Sequence, residues 1–189
     1  DFEQKLAKVR EVLETEEAVL LTQGCNFSWL TGGRNHILSE NGVGSLFISQ
    51  SRVVLLTTNI EGQRLLREEL PGLPIELLEM EWWDQCRDSA LARLSNNTGK
   101  VLLDSDPDFA SRFSPLRYTL TDYDMARYRI LGKDCGEIIS HVIRASRPGQ
   151  SEFHVAAQLA QKCLERGIDA IVTLIAADER IDNVRHPLP

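Results

Sequence analysis

Residues Thr121–Glu152 read T-D-Y-D-M-A-R-Y-R-I-L-G-K-D-C-G-E-I-I-S-H-V-I-R-A-S-R-P-G-Q-S-E. Thr121 is placed to cap a helix, because its hydroxyl can accept an orphaned N–H of the first turn. Asp122 and Asp124 follow, where negative charge meets the positive end of the helix dipole. Met125, Tyr128, Leu131, Cys135, Ile138, Ile139 and Val142 then hold one helical face for about six turns. Arg147-Pro148-Gly149 ends that run. Ser151 caps a second helix, with Glu152 in its first turn, Val155, Leu159 and Cys163 inside it, and Gly167 as its stop.

The chain before Thr121 has a different rhythm. Phe2, Leu6, Val9 and Leu13 mark one face of an amphipathic helix, and Ala18–Thr22 follows as a strand. Asn26 is placed to cap a short helical turn, which Gly32-Gly33 breaks. Gly44–Ser49 and Arg52–Thr58 read as a hairpin across Gln50-Ser51. Ile60–Leu70 reads as a helix, Pro74–Met80 as a strand, Trp82–Leu94 as a helix closed by S-N-N-T-G, and Lys100–Ser105 as a strand. A short helix from Asp106-Pro107 to Phe113 and a last strand at Arg117–Leu120 complete the alternation. Strands alternating with helices predict an α/β layer, a mixed sheet with helices on its faces.

After the two late helices, Ala170–Ala176 (A-I-V-T-L-I-A) reads as a strand covered on both faces. One strand cannot satisfy its own backbone groups. The expectation is therefore two domains, residues 1–121 and 122–189, the second of them incomplete.

Composition narrows the function classes. A net charge of -7 argues against a nucleic-acid binder, which needs a basic stripe to neutralise phosphates, and against an anionic membrane surface. Cys25, Cys86, Cys135 and Cys163 form no C-x-x-C, so free thiols in a reducing cytoplasm are expected rather than a disulfide framework or zinc knuckle. No apolar run reaches the roughly 20 residues of a membrane span.

The order of the pieces resembles a known family. N-F-S-W-L-T-G-G (Asn26–Gly33) and the hairpin G-S-L-F-I-S-Q-S-R-V-V-L-L-T-T resemble segments of the creatinase-type N-terminal domain. That domain precedes the catalytic domain of Xaa-Pro aminopeptidases and prolidases. Met125–Arg144 is similar to the first helix of the pita-bread metallopeptidase domain, and R-P-G-Q-S-E-F-H-V-A-A-Q-L (Arg147–Leu159) to the start of its second helix. The strand leading to R-H-P-L-P (Arg185–Pro189) resembles the segment that ends in an active-site histidine. The resemblance implies a creatinase-type α/β domain, followed by the first helices and strand of a truncated α+β pita-bread domain. The activity it implies is hydrolysis of the peptide bond before proline.

By that resemblance His186 is the catalytic candidate. It would not ligate metal, but would hydrogen-bond the peptide substrate and help stabilise the tetrahedral intermediate. Pro187 pushes His186 towards extended backbone, and an imidazole can donate or accept a proton near neutral pH. The bland alternative is a polar residue at an exposed strand end. The family's metal ligands (two aspartates, a histidine and two glutamates) come after this histidine, and none is present by Pro189. Two divalent ions, Mn²⁺, Co²⁺ or Zn²⁺, are thus implied for the full-length enzyme but not for these 189 residues, which are expected to be inactive. A homodimer in the cytoplasm is also implied. A metal-free creatinase-like hydrolase and a non-catalytic dimerising homologue are the alternatives.

Other constellations have plain readings. Asp178, Glu179 and Asp182 precede His186 and read as a solvated loop rather than ligands. Arg185 can orient a carboxylate or simply face solvent. Arg34-Asn35-His36 can be a loop reaching a neighbouring subunit or an ordinary polar loop. His141 and His154 read as helix-surface residues. Of Trp82 and Trp83, one is expected in the core and one at a subunit contact, with local packing of both as the alternative. Trp29 is expected under the sheet. Cys25 lacks a neighbouring base in sequence.

Overall fold

The computed structural model describes residues 1–35, 41–83, 87–95 and 99–189. His36, Cys86 and most of the S-N-N-T-G stretch lie outside the described residues. The chain divides into two compact units, Asp1–Leu120 and Thr121–Pro189.

The first unit is built on a five-stranded mixed sheet. Its strands are β1 (Glu17–Gln23), β2 (Asn41–Ile48), β3 (Val53–Thr58), β4 (Glu76–Met80) and β5 (Lys100–Leu103). They lie in the order β4-β3-β2-β1-β5. The β1–β2 and β2–β3 pairs are antiparallel, while β3–β4 and β1–β5 are parallel. The expected hairpin is present, with Ile48 opposite Val53. Its turn is closed by the Ser49 N–H donating to the Arg52 carbonyl at 3.0 Å, and the Ser49 hydroxyl oxygen accepts from the Arg52 N–H.

The central strands are apolar on consecutive residues because both sheet faces are covered. Val19, Leu21, Leu46, Ile48, Val53 and Leu55 point into one core with Phe2, Leu6, Val9, Phe27, Leu30, Phe109 and Phe113. Those partners come from α1 (Phe2–Glu11), α2 (Gly24–Thr31) and α5 (Pro107–Phe113). Ala18, Leu20, Phe47, Val54 and Leu56 point the other way, against Ala90 and Leu94 of α4 (Arg87–Leu94). The predicted mixed sheet with helices on its faces is the observed architecture.

Several elements differ from expectation. Ile60–Leu70 is not one regular helix: α3 (Gly62–Arg64) passes into a π-turn at Leu65–Glu69. Arg117–Leu120 carries no strand. A 3₁₀ turn over Ser114–Arg117 continues α5 instead, and Tyr118 and Leu120 are left exposed with no ladder to join. Asn26 does not cap a helix. It sits within α2, whose cap position is Gln23. Gly32 closes α2 at φ +78°, the left-handed conformation in which a side chain is costly. A Cβ on the next residue, Gly33, would lie 2.5 Å from the Glu69 carbonyl oxygen, so that backbone approach requires glycine.

In the second unit, α6 (Asp122–Ala145) starts as its sequence predicts. The Thr121 hydroxyl oxygen accepts from the Asp124 N–H at 3.1 Å, and the Asp124 carboxylate accepts from the Thr121 N–H at 3.2 Å. This reciprocal box satisfies two orphaned donors. The Ser151 oxygen likewise accepts from the His154 N–H at the start of α7 (Glu152–Leu164). Ile138, Val142 and Cys163 are buried on these helices, and Arg166 ties Asp134 and Glu137 at 2.8 and 2.9 Å.

The run at 170–176 carries no strand. Ile171 and Val172 are exposed, and the Ile175 N–H donates to the Pro187 carbonyl at 3.0 Å. A strand is defined by its neighbours, and no neighbouring ladder forms here among the described residues. One more turn of helix, α8 (Arg180–Asn183), precedes the C-terminal segment. Among the described residues no helix is long and apolar enough to cross a membrane.

Candidate functional site

The candidate histidine is carried by residues 168–189, a segment with little regular structure. What orders it is a set of polar contacts around Glu152. The Ser151 cap fixes the first turn of α7, and Glu152 is the first residue of that helix. Its carboxylate is only 13% exposed and accepts from the Ala177 N–H at 2.7 Å. It also pairs with the guanidinium of Arg180. A carboxylate with two charge-matched or N–H donors from a remote segment is well compensated for its burial.

Arg180 is the second hub. Its guanidinium also donates to the Leu188 carbonyl at 2.8 Å. Its own carbonyl accepts from the Val184 N–H at 3.0 Å, which closes α8. With the bond from Ile175 to Pro187, the backbone is held at Val184, Pro187 and Leu188. Asp178, at φ +51°, makes the turn between Ala177 and α8, a conformation aspartate tolerates better than most residues.

His186 lies inside that bracket. It is exposed, the following Pro187 is buried, and its ring makes no hydrogen bond to a described residue. The ring is therefore available to a ligand. Arg185 is exposed beside it. Asp178, Glu179 and Asp182 are exposed too, as a solvated loop requires. Among the described residues, no group of three or more His, Cys, Asp and Glu side chains is disposed to hold a metal ion. His141 and His154 are exposed on α6 and α7. Between those helices runs an open groove, lined by Lys133, His141, Arg144 and Lys162. The Glu165 carboxyl there is held below its ordinary range by hydrogen bonds from Lys162 and then Gln161, and the Arg166 guanidinium is raised by its bond to Glu137.

The first unit has a polar hub of its own. Asp104, just past β5, is 3% exposed. It accepts from the Thr22 N–H (2.9 Å), the Thr22 hydroxyl (2.7 Å), the Gln23 N–H (2.9 Å) and the Asn26 amide (2.8 Å). It thus joins the ends of parallel β1 and β5 to the first turn of α2. This is why Asn26 is buried: it serves Asp104 rather than the helix cap. Cys25 is exposed next to it, its thiol within hydrogen-bond reach of the amide oxygens of Asn26 (3.7 Å) and Gln23 (4.0 Å). Amide oxygens are not bases, so these partners do not activate a nucleophile.

The two tryptophans are not divided between core and surface. Trp82 is 53% and Trp83 65% exposed, edge to face at 5.6 Å. They lie in a turn before α4 rather than within it, which frees both from a helical face. Trp29 packs against the main core, edge to face with Phe113 at 5.5 Å, as expected.

Glu152 and Arg180 were the residues that sequence reasoning passed over. Glu152 read as a favourable first-turn charge, which it is, and nothing local signals a partner 28 residues away. Asp104 falls within the strand expected over Lys100–Ser105. Its signal was a carboxylate closing an apolar strand, which is costly unless donors are waiting.

No family model and no curated protein matches this chain. Solved structures do. The chain is similar to an Xaa-Pro dipeptidase from Bacillus anthracis, with 16% identity and a TM-score of 0.62 over 88% of this chain and 50% of that one. It is similar to a prolidase from Thermococcus sibiricus, with 15% identity and a TM-score of 0.66 over 88% and 50%. A prolidase from Pyrococcus furiosus matches at 15% identity and a TM-score of 0.65 over 99% and 60%. At such identities the likeness is one of fold, and the chain, with its mixed five-stranded α/β sheet, has the fold of these Xaa-Pro peptidases. It spans about half the length of the first two of these structures.

Proposed function

We propose that this chain is the front part of a hydrolase that cleaves the peptide bond before proline, in which His186 contacts the substrate. One observation carries the reading: 88 to 99% of the chain follows the fold of prolidases and Xaa-Pro dipeptidases. The described residues do not fit the metal pair that the family resemblance implies. Those ligands would come from chain beyond Pro189. The part left to this chain is recognition and charge stabilisation. The ring of His186, unbonded within the fold, can donate to the oxygen on which negative charge develops as water adds to the scissile carbonyl.

The test is His186→Ala in the full-length protein, assayed on an Xaa-Pro dipeptide with metal content measured alongside. Removing one such donor typically costs about 100-fold or more in kcat. The expected outcome is that loss with bound metal unchanged, and turnover at the parental level would refute the assignment.

A second reading has its own support. The exposed Trp82–Trp83 pair is an apolar surface of the kind that associates, and we infer that the first unit dimerises through it. Light scattering of a Trp82→Ala, Trp83→Ala protein should report a monomer where the parent is a dimer. A monomeric parent would remove the idea.

A further inference from the structure

We propose that Glu152 and Arg180 are positioning residues for His186, a clasp that sets where the ring stands before substrate arrives. The inference rests on the reading of His186 as the residue that meets substrate.

The geometry argues for it in steps. His186 is part of a short irregular segment, and the α8 turn before it is one turn long. Such a segment has no ladder to fix it, so its position is decided by whatever else binds its backbone. The residues around His186 are bound at Val184, Pro187 and Leu188. Arg180 makes two of these three contacts, one through its carbonyl and one through its guanidinium. The guanidinium is oriented in turn by Glu152, a residue of a long, capped helix. Glu152 also holds Ala177, which lies between the Ile175 anchor and α8. The chain of restraint runs from the α7 cap through Glu152 and Arg180 to the carbonyl of Leu188, two residues from the ring.

An ordinary surface ion pair would not have this form. Exposed pairs join two side chains and fix little. Here the carboxylate is mostly buried, and the pair bonds backbone groups at both ends: Ala177 through Glu152 and Leu188 through Arg180. Arginine suits the second role because its planar fork serves a carboxylate and a carbonyl at once, which a lysine cannot do with the same directions. The ring of His186 makes no hydrogen bond to a described residue, so its placement depends mainly on its backbone. A loosened backbone at this point displaces the ring relative to any bound substrate. A displacement of about 1 Å in a catalytic group costs on the order of 100-fold in rate.

The test is a double-mutant cycle in the full-length protein, with kcat and KM for an Xaa-Pro dipeptide and amide hydrogen exchange of the 175–188 peptides. Arg180→Ala should lower kcat by about 10- to 100-fold with KM within about twofold, and should speed exchange in those peptides. In a His186→Ala background, Arg180→Ala should change kcat by less than about twofold, because the ring it positions is gone. Arg180→Lys and Glu152→Gln keep the size of the side chains, and they serve the same cycle if the alanine variant does not fold. Glu152→Gln retains an acceptor for Ala177 and should lose less exchange protection than Glu152→Ala. Losses that multiply in the double variant would overturn the clasp, as would unchanged exchange with unchanged kcat in Arg180→Ala. Parental turnover in His186→Ala alone would instead overturn the reading of the site on which the clasp depends.

Discussion

Two apolar runs in this chain end in opposite surroundings. Ala18–Leu21 lies between two neighbouring strands, and all four residues are fully buried. The run at 170–176 is just as apolar, yet Ile171, Val172 and Leu174 are exposed and no ladder forms on it among the described residues. The first unit closes two cores, one on each face of its sheet. The second offers two capped helices and a segment held mainly by the polar clasp and a few backbone bonds. Hydrophobic sequence creates demand for burial, but burial itself needs partners.

The comparison is broken most directly by cutting the chain between Leu120 and Thr121. Residues 1–120 should unfold in one cooperative calorimetric transition, while residues 121–189 should show none. A sharp transition in the second fragment would mean that it is as self-sufficient as the first.

Point substitutions sharpen the same contrast. Phe109→Ala opens a hole in the closed core and should cost about 3–5 kcal/mol in denaturant unfolding. Ile171→Ala, with its side chain already in solvent, should stay within about 0.5 kcal/mol in this chain. Asp104→Ala strands the donors of Thr22, Gln23 and Asn26 and should cost about 3 kcal/mol, somewhat less if water enters to serve them. The companion measurement on the clasp, Glu152→Ala, should move the unfolding midpoint far less than Asp104→Ala, because its partners can turn to solvent.

The smallest effect is one of pH. A hydrogen bond from Arg112 holds the Glu17 carboxyl below the ordinary glutamate value of 4.5, and this outweighs its desolvation. A carboxyl whose folded pKa is depressed stabilises the fold above the unfolded value, and that stability disappears as pH falls through the folded value. Parent and Glu17→Gln should therefore differ by at most about 1 kcal/mol in the unfolding free energy from urea titrations at neutral pH, and the difference should vanish in acid. A gap that persisted at low pH would show that the pair acts through packing and not charge.

Much of the first unit, and the two helix starts of the second, were legible in sequence because their signals are local or periodic. The hairpin, the alternating elements and the Thr121 and Ser151 caps all depend on residues within a few positions of one another. The errors have a common cause. Asn26 has the chemistry of a cap, and nothing nearby shows that a buried carboxylate 78 residues later would claim it. The strand at Arg117–Leu120 failed because ladder formation is decided by a neighbour, and the paired tryptophans are both exposed because they fall in a turn.

What the amino-acid order determined unaided is most of the elements of the first unit, the two capped helices of the second and the change of character at Thr121. These follow from backbone propensity, capping and hydrophobic period, all short-range effects. Only the tertiary structure decided that Asp104 is a hub, that 170–176 stands without a ladder, and that Glu152 and Arg180 bracket the histidine. Each of those depends on which distant groups meet. That is set by the packing of whole elements, since a buried or orphaned polar group takes whichever partner the fold brings within hydrogen-bond reach.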